Sequence, residues 1–254
     1  MTSSRADGLV SIIVPFFNER ATLPRVVARV LAAPLPAGFR RELILVDDGS
    51  TDGSAEAAAT ALRGDTGGRL LRLERNQGKG TAVRAGLDAA RGELVLVQDA
   101  DLEYDPDDYP ALLAPFADPR VDAVYGSRIL GSPNRSYDRY YWGGRVVSLF
   151  TTILFGQRIT DEPTGYKVVR RELVPELRLA ARGFEFCPEI TAKLLRSGRR
   201  IVEVPIRYAP RSFAEGKKIR ARDGAIALWT LLRLRLGLDR RDRPATPPVW
   251  REES

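Results

Sequence analysis

The chain contains no histidine, one cysteine and one methionine among its 254 residues. Without histidine there is no His-based catalytic triad, no His-ligated zinc and no imidazole proton shuttle. With Cys187 alone, neither an internal disulfide nor a thiolate metal cluster can form. Any metal must therefore be held by oxygen, and the scarcity of cysteine fits a reducing compartment. Long apolar runs are missing too: Val146–Phe155 and Ala225–Leu232 fall short of the roughly 20 residues that span a bilayer. Met1–Gly8 is too short and polar for a secretory leader. Acidic residues are the minority, 33 against 40 Lys and Arg, for a net charge of +7. The excess gathers in arginine-rich segments beyond residue 195. A phosphorylated substrate, an anionic membrane face or nucleic acid each suits such a balance. Aromatic residues are not interleaved with the basic segments as a single-strand binder requires, which ranks nucleic acid last.

What is present is an alternation of short apolar runs and amphipathic segments. Leu9–Val14, Glu42–Val46, Leu70–Leu73, Glu93–Val97 and Val121–Tyr125 read as strands. Glu19–Ala33, Ser54–Leu62, Thr81–Ala90 and Asp107–Phe116 read as helices. This order predicts an α/β protein with a mostly parallel sheet covered on both faces. Ser136–Phe155, Glu185–Arg196 and Gly224–Leu238 are further helices, Ile201–Val204 a further strand, and Ile159–Arg170 a loop with a strand at its end. Ser212–Lys218 reads as a polar loop. Arg240–Ser254, mixing prolines with charges, reads as a frayed tail.

The strands share a chemical feature: polar clusters follow them directly, at Phe16–Glu19, Asp47–Asp48, Asn76–Lys79 and Asp99–Glu103. In an open parallel sheet the carboxyl ends of the strands are where ligands bind, so these clusters should gather on one rim. The sharpest is Glu93–Pro106, an apolar strand ending in Asp99, Asp101, Glu103 and Asp105. Crowded carboxylates repel unless a cation sits among them. Hard oxygen ligands suit Mg²⁺ or Mn²⁺, ions that usually also hold a substrate phosphate. The competing reading is a solvated acidic loop that caps the next helix. Asp47 or Asp48 would take hydrogen bonds from a base or ribose. Asn76–Gly80 is not a Walker A loop, and Lys79 is either near the nucleotide or a solvated loop lysine. A nucleotide-sugar donor fits the set: the ion would neutralise charge building on the leaving nucleoside diphosphate.

Ser11-Ile-Ile-Val-Pro-Phe-Phe-Asn-Glu19, Val46-Asp-Asp-Gly-Ser-Thr-Asp52, Asn76-Gln-Gly-Lys-Gly80 and Gln98-Asp-Ala-Asp-Leu-Glu103 resemble, in order and spacing, the signature of family-2 glycosyltransferases with the GT-A fold. Tyr125-Gly-Ser-Arg128, Asp161-Glu-Pro-Thr-Gly-Tyr-Lys167, Glu203-Val-Pro-Ile-Arg-Tyr208 and Glu215-Gly-Lys-Lys-Ile219 narrow the resemblance to the polyprenyl-phosphate branch, similar to dolichol-phosphate mannose synthases. The likeness covers roughly residues 9–236. It implies inverting transfer of a hexose from a GDP- or UDP-sugar to a lipid phosphate. It places Pro15, Phe17, Glu19 and Asp47 around the donor, and Asp99, Asp101 and Glu103 on the metal and diphosphate. Glu103 stands where mannose synthases often carry glutamine. Arg128 and Arg145, with Arg139 a rival for the latter, fall where basic residues grip the acceptor phosphate. Arg211 with Lys217 or Lys218 falls in a loop closing over the diphosphate. Asp101, Arg128 and Arg145 carry the catalytic role under this likeness.

A phosphate acceptor makes sense of the missing histidine. It is already anionic near neutral pH, with a second pKa of about 6, so it needs orientation, which guanidinium groups supply. A hydroxyl acceptor would need a carboxylate base, for which Glu185 or Glu189 is available. Arg128 can instead form an ordinary ion pair. Val146–Phe155, with Val146, Leu149, Phe150, Ile153 and Leu154 on one side, and Gly224–Leu238 with Trp229 either pack on the sheet or lie in a membrane interface. The expected organisation is a catalytic domain over 1–209, an acceptor loop and amphipathic interfacial helix over 210–238, and a disordered tail over 239–254. The protein is expected at the cytoplasmic face of the membrane, attached peripherally or through a membrane-protein partner. A non-catalytic nucleotide-sugar-binding scaffold is the reading from another class, and the acid pair argues against it.

Overall fold

The structure, a computed structural model, describes residues 8–64, 67–131, 138–210, 221–238 and 248–253. Its strands are β1 (Gly8–Phe16), β2 (Phe39–Asp47), β3 (Arg69–Leu73), β4 (Leu94–Val97), β5 (Ala123–Ser127), β6 (Lys167–Arg170), β7 (Ile201–Pro205) and β8 (Trp250–Glu253). They form one sheet in the order β7-β5-β6-β4-β1-β2-β3-β8. β1 pairs in parallel with β2 and β4, β2 with β3, and β5 with β7. β6 runs antiparallel between β4 and β5, and β8 antiparallel to β3. Six strands thus end on one rim.

The strands read as continuous apolar runs because both faces are covered. Along β2, Leu43 and Leu45 face one core layer and Ile44 and Val46 the other. The first layer is closed by α1 (Leu23–Ala32), α2 (Ser54–Ala61) and α4 (Tyr109–Leu113). The second is closed by α3 (Lys79–Ala89), α7 (Val174–Leu177) and α8 (Phe186–Arg196). A one-turn helix, α5 (Arg128–Gly131), follows β5 directly.

Two long helices lie outside these layers. α6 (Asp138–Phe155) and α9 (Ala221–Arg235) pack with α8 through Val147, Ala192, Leu231 and Leu234. Their outer faces are apolar and open: Trp142, Val146, Leu149 and Ile153 on α6, and Ile226 and Trp229 on α9, are exposed. The apolar positions expected on one side of α6 divide accordingly. Val146, Leu149 and Ile153 face outward, while Phe150 and Leu154 pack inward. Among the described residues, no helix is long and apolar enough to cross a membrane.

The frayed tail needs correction. Trp250–Glu253 is an edge strand, drawn to the open side of β3 by charge as well as by backbone pairing. Arg69 donates to both carboxylate oxygens of Glu252 at 2.7 and 3.1 Å, and Arg72 donates to Glu253 at 2.7 Å. Pairing in this way moves the edge of the sheet from β3 to a short, charged strand. Residues 239–247 lie outside the described residues.

Candidate functional site

The strand-end rim is assembled loop by loop. After β1, Asn18 adopts a left-handed backbone (φ 53). Its amide oxygen accepts from Thr51 N–H at 2.9 Å, and its own N–H reaches Ser50 Oγ at 3.0 Å. Glu19 N–H donates to Ser54 Oγ at 2.9 Å. The loops after β1 and β2 are thereby joined. After β2, the Asp48 carboxylate accepts from Gln77 and Gly78 N–H, both at 2.8 Å, which fixes the loop after β3. Burial raises the Asp48 pKa; the two amides oppose that shift, and Asp47 adds to it.

The acid loop after β4 is held from below and bent. Tyr109 and Tyr166 both donate to the Gln98 side-chain oxygen, at 2.8 and 2.6 Å. Leu102 has φ 63, a conformation costly for a branched residue and met where surrounding structure enforces it. The Asp101 Oδ1 accepts from Glu103 N–H at 3.2 Å. Gly165 approaches so closely that a Cβ there would stand 2.5 Å from Asp99 Oδ2. Lys79, the first residue of α3, donates from Nζ to Asp99 Oδ1. Burial works against the ammonium, yet Asp99, Cys187 and Tyr104 together outweigh it and the Lys79 pKa is raised.

A cleft of about 290 Å³ results. Pro15, Phe17, Glu19, Lys79, Asp99, Asp101, Glu103 and Arg128 all line it, as do Asp48, Tyr104, Phe184 and Tyr208. Asp47 does not. Its side chain is wholly buried, with Oδ1 accepting from Ser50 N–H at 2.9 Å and Oδ2 lying 3.4 Å from Arg72 Nε. Of the acid pair, Asp48 is the one on the cleft, and Asp47 supports from beneath.

Asp99, Asp101 and Glu103 do not close into a preformed cage. No group of three such ligands is found among the described residues, and Glu103 accepts a hydrogen bond from the Tyr208 hydroxyl. Burial raises the phenol pKa of Tyr208 and of Tyr104, so both stay protonated. The remaining donor set still suits Mg²⁺ or Mn²⁺ chemically. Such ions take one or two carboxylates plus substrate phosphates rather than an all-protein cage, and Asp99 and Asp101 line one opening.

Arg128 enters from the far side. Its Nε and Nη2 bind the buried Asp161 carboxylate at 2.8 and 2.7 Å, and its backbone N–H binds the same group at 2.8 Å. Its guanidinium stacks over the Tyr208 ring at 5.0 Å. Burial opposes its charge, but Asp161, with Tyr104 and Tyr208, outweighs burial and its pKa is raised. Asp161 is positioned in turn by Glu203, whose carboxylate accepts from Asp161 N–H at 3.0 Å and Thr160 N–H at 2.7 Å. The motifs containing Asp161, Glu203 and Tyr208 were visible in the sequence. That they converge on Arg128 was not, since β6 and β7 meet β5 only in the folded sheet.

Other predicted residues lie elsewhere. Arg145 is exposed on α6, away from the cleft lining. Arg211, Lys217 and Lys218 fall outside the described residues, as does the side chain of Arg139. Neither carboxylate considered as a base lines the cleft. Glu189 is buried and binds Ala180 and Ala181 N–H and Lys193, and Glu185 accepts from Arg182 N–H.

Residues 11–178 match the sequence model of Glycosyl transferase family 2. Among curated relatives, the dodecaprenyl-phosphate galacturonate synthase of Rhizobium johnstonii is 31% identical over 82% of this chain and 61% of its own length. The undecaprenyl-phosphate 4-deoxy-4-formamido-L-arabinose transferase of Pseudomonas aeruginosa is 32% identical over 82% of this chain and 60% of its own. The chain therefore spans about three fifths of the length of these relatives. In three dimensions, glucosyl-3-phosphoglycerate synthase from Mycobacterium tuberculosis, solved with Mn²⁺, UDP and glucosyl-3-phosphoglycerate, superposes with a TM-score of 0.64. The identity is 22%, over 91% of this chain and 80% of that one. A mannosyltransferase from Pyrobaculum calidifontis, solved with GDP-Man and Mn²⁺, gives 0.62 at 23% identity, over 94% and 66%. These likenesses fix the fold as GT-A. The family match runs from β1 through α7 and takes in the strand-end loops that build most of the cleft: the chain belongs to glycosyl transferase family 2.

Proposed function

We propose that this chain transfers a hexose, with inversion, from a GDP- or UDP-sugar to a polyprenyl phosphate. The observation that carries the reading is the pairing of Asp99 and Asp101 with Arg128 around one cleft, in a chain without histidine. The donor lies along Pro15, Phe17, Glu19 and Asp48, with its diphosphate toward Lys79. Asp99 and Asp101 would hold Mg²⁺ or Mn²⁺, which when bound offsets the charge that develops on the departing diphosphate. Arg128, fixed by Asp161, keeps guanidinium N–H groups for an anionic acceptor and orients a phosphate oxygen at the anomeric carbon. No proton need be removed, which agrees with the engagement of Glu185 and Glu189 elsewhere. Arg211 and Lys217 or Lys218 complete the grip on phosphate. The lipid tail runs toward the exposed apolar stripe of α6, where Trp142, Val146, Leu149 and Ile153 recur at helical spacing and Arg145 flanks them. This face and that of α9 dock peripherally on an anionic membrane. Relatives that act on dodecaprenyl and undecaprenyl phosphates support the acceptor class.

The test is purified protein with Mn²⁺, labelled nucleotide sugars and undecaprenyl phosphate. Label should become butanol-extractable, and Asp101→Ala should abolish both transfer and metal-dependent donor binding. Label found only on water-soluble acceptors would refute the lipid acceptor. Near-normal turnover by Asp101→Ala would remove the metal from the account.

A further inference from the structure

We propose that Lys79 is a displaceable counter-ion. Its ammonium holds Asp99 while the donor site is empty, and yields that carboxylate to a divalent cation arriving with the donor, moving onto the diphosphate as it does so. The inference rests on the donor reading above and concerns how that site is loaded.

The Lys79–Asp99 pair is not a loose surface contact. Its side chains are 22% and 16% exposed, and both line the cleft. Asp99 Oδ2 lies beside Gly165, where an added Cβ would stand 2.5 Å from it. A metal that takes Asp99 as a ligand therefore meets a carboxylate that Lys79 already holds through Oδ1. A dication bound to that carboxylate and an ammonium hydrogen-bonded to it would repel each other, which favours release of the lysine. Asp101 offers little to a bare ion by itself, because its Oδ1 accepts from the Glu103 backbone, and Glu103 is engaged by Tyr208.

The backbone under Lys79 cannot retreat. Cβ atoms at Gly78 and Gly80 would stand 2.5 and 2.7 Å from the carbonyl oxygens of Arg182 and Ala181, so the start of α3 is pressed against that loop. Thr81 N–H also donates to the Arg182 carbonyl, at 3.1 Å. The four-carbon stem is what moves, and a lysine is a point charge suited to following a phosphate. The Phe184 ring, 5.9 Å from Nζ, walls the same space and keeps the ammonium within the cleft. Metal and nucleoside diphosphate then bind cooperatively, since each supplies what the other's arrival requires, and the coupling is reciprocal.

The experiment is Mn²⁺ binding, followed by the electron paramagnetic resonance of free Mn²⁺, with and without UDP or GDP. Wild type should bind Mn²⁺ weakly alone and more tightly with nucleotide. Lys79→Met should bind Mn²⁺ alone at least about tenfold more tightly than wild type, the scale of one adjacent unit charge. Its gain from nucleotide should shrink by a similar factor. Adding Asp99→Asn to Lys79→Met should reverse the increase. Lys79→Gln, which keeps a polar side chain, should behave alike and replaces the methionine variant if that one misfolds. Unchanged or weakened Mn²⁺ binding by the lysine variants, with nucleotide-dependent binding intact in wild type, overturns the exchange and leaves the donor site standing. No Mn²⁺ uptake by wild type with either nucleotide overturns both.

Discussion

Gly165 offers the most direct test of how the acid loop is set. Its backbone is not in the left-handed region, so alanine there carries no conformational strain and the cost is one of space. An alanine Cβ would meet Asp99 Oδ2 at 2.5 Å and two Tyr104 ring carbons at 3.0 and 3.1 Å, where ordinary contact begins at 3.4 Å. Tyr104 cannot move aside. Its ring is packed between Tyr166 and Tyr208, at 4.6 and 5.2 Å between centroids, and its hydroxyl accepts from Gly165 N–H at 2.7 Å. Asp99 must therefore shift, by on the order of 1 Å. Overpacking of this kind costs about 1–3 kcal/mol of stability, and a 1 Å misplacement of a positioning group costs about 100-fold in rate, or roughly 2.7 kcal/mol of transition-state stabilisation. Gly165→Ala should thus stay folded, lose turnover by about that factor and bind Mn²⁺ more weakly in the presence of donor. Gly143→Ala, on α6 with nothing near its would-be Cβ, is the control. It should keep full turnover and gain about 0.5–1 kcal/mol in thermal or urea unfolding. Near-wild-type turnover and metal binding by Gly165→Ala would show that the position of Asp99 does not govern the chemistry.

Arg128→Ala should harm acceptor use far more than donor binding. Because it also strands the buried Asp161, at a cost of about 3–5 kcal/mol, Arg128→Lys is the cleaner variant: acceptor KM should rise while donor KM holds, and equal loss of both would place Arg128 elsewhere. Glu162 is wholly buried with one oxygen lacking a hydrogen bond. Burial raises its pKa above 4.5, with Lys167 opposing. A carboxylate whose folded pKa is raised destabilises the fold when ionised, so this penalty is absent below pH 4.5 and grows as pH climbs through the folded pKa. Glu162→Gln should therefore have the higher Tm at pH 7, with the gap to wild type closing as pH falls toward 4.5; a gap independent of pH would refute the assignment.

The parts of this molecule legible in its sequence are those fixed by short-range periodicity. Leu43–Val46 is buried at every position because its alternate side chains serve two core layers, and that pattern is written in consecutive residues. The collection of Phe17, Lys79, Asp99 and Arg128 at one cleft followed from their place after successive strands. What was hidden depends on partners distant in the chain. Whether Asp47 or Asp48 faces the cleft turns on a single residue's advance past the end of β2, where the alternation that separates strand faces gives way to a turn. Trp250–Glu253 is charged and follows prolines, so nothing local marks it as a strand. Arg69 and Arg72, some 180 residues earlier in sequence, supply complementary charges that bind it. The same Arg72 lies 3.4 Å from Asp47, so the edge strand and the buried acid beneath the strand-end loops share one guanidinium. A segment that looks expendable in sequence thus reaches, through a single side chain, to within one residue of the cleft wall at Asp48.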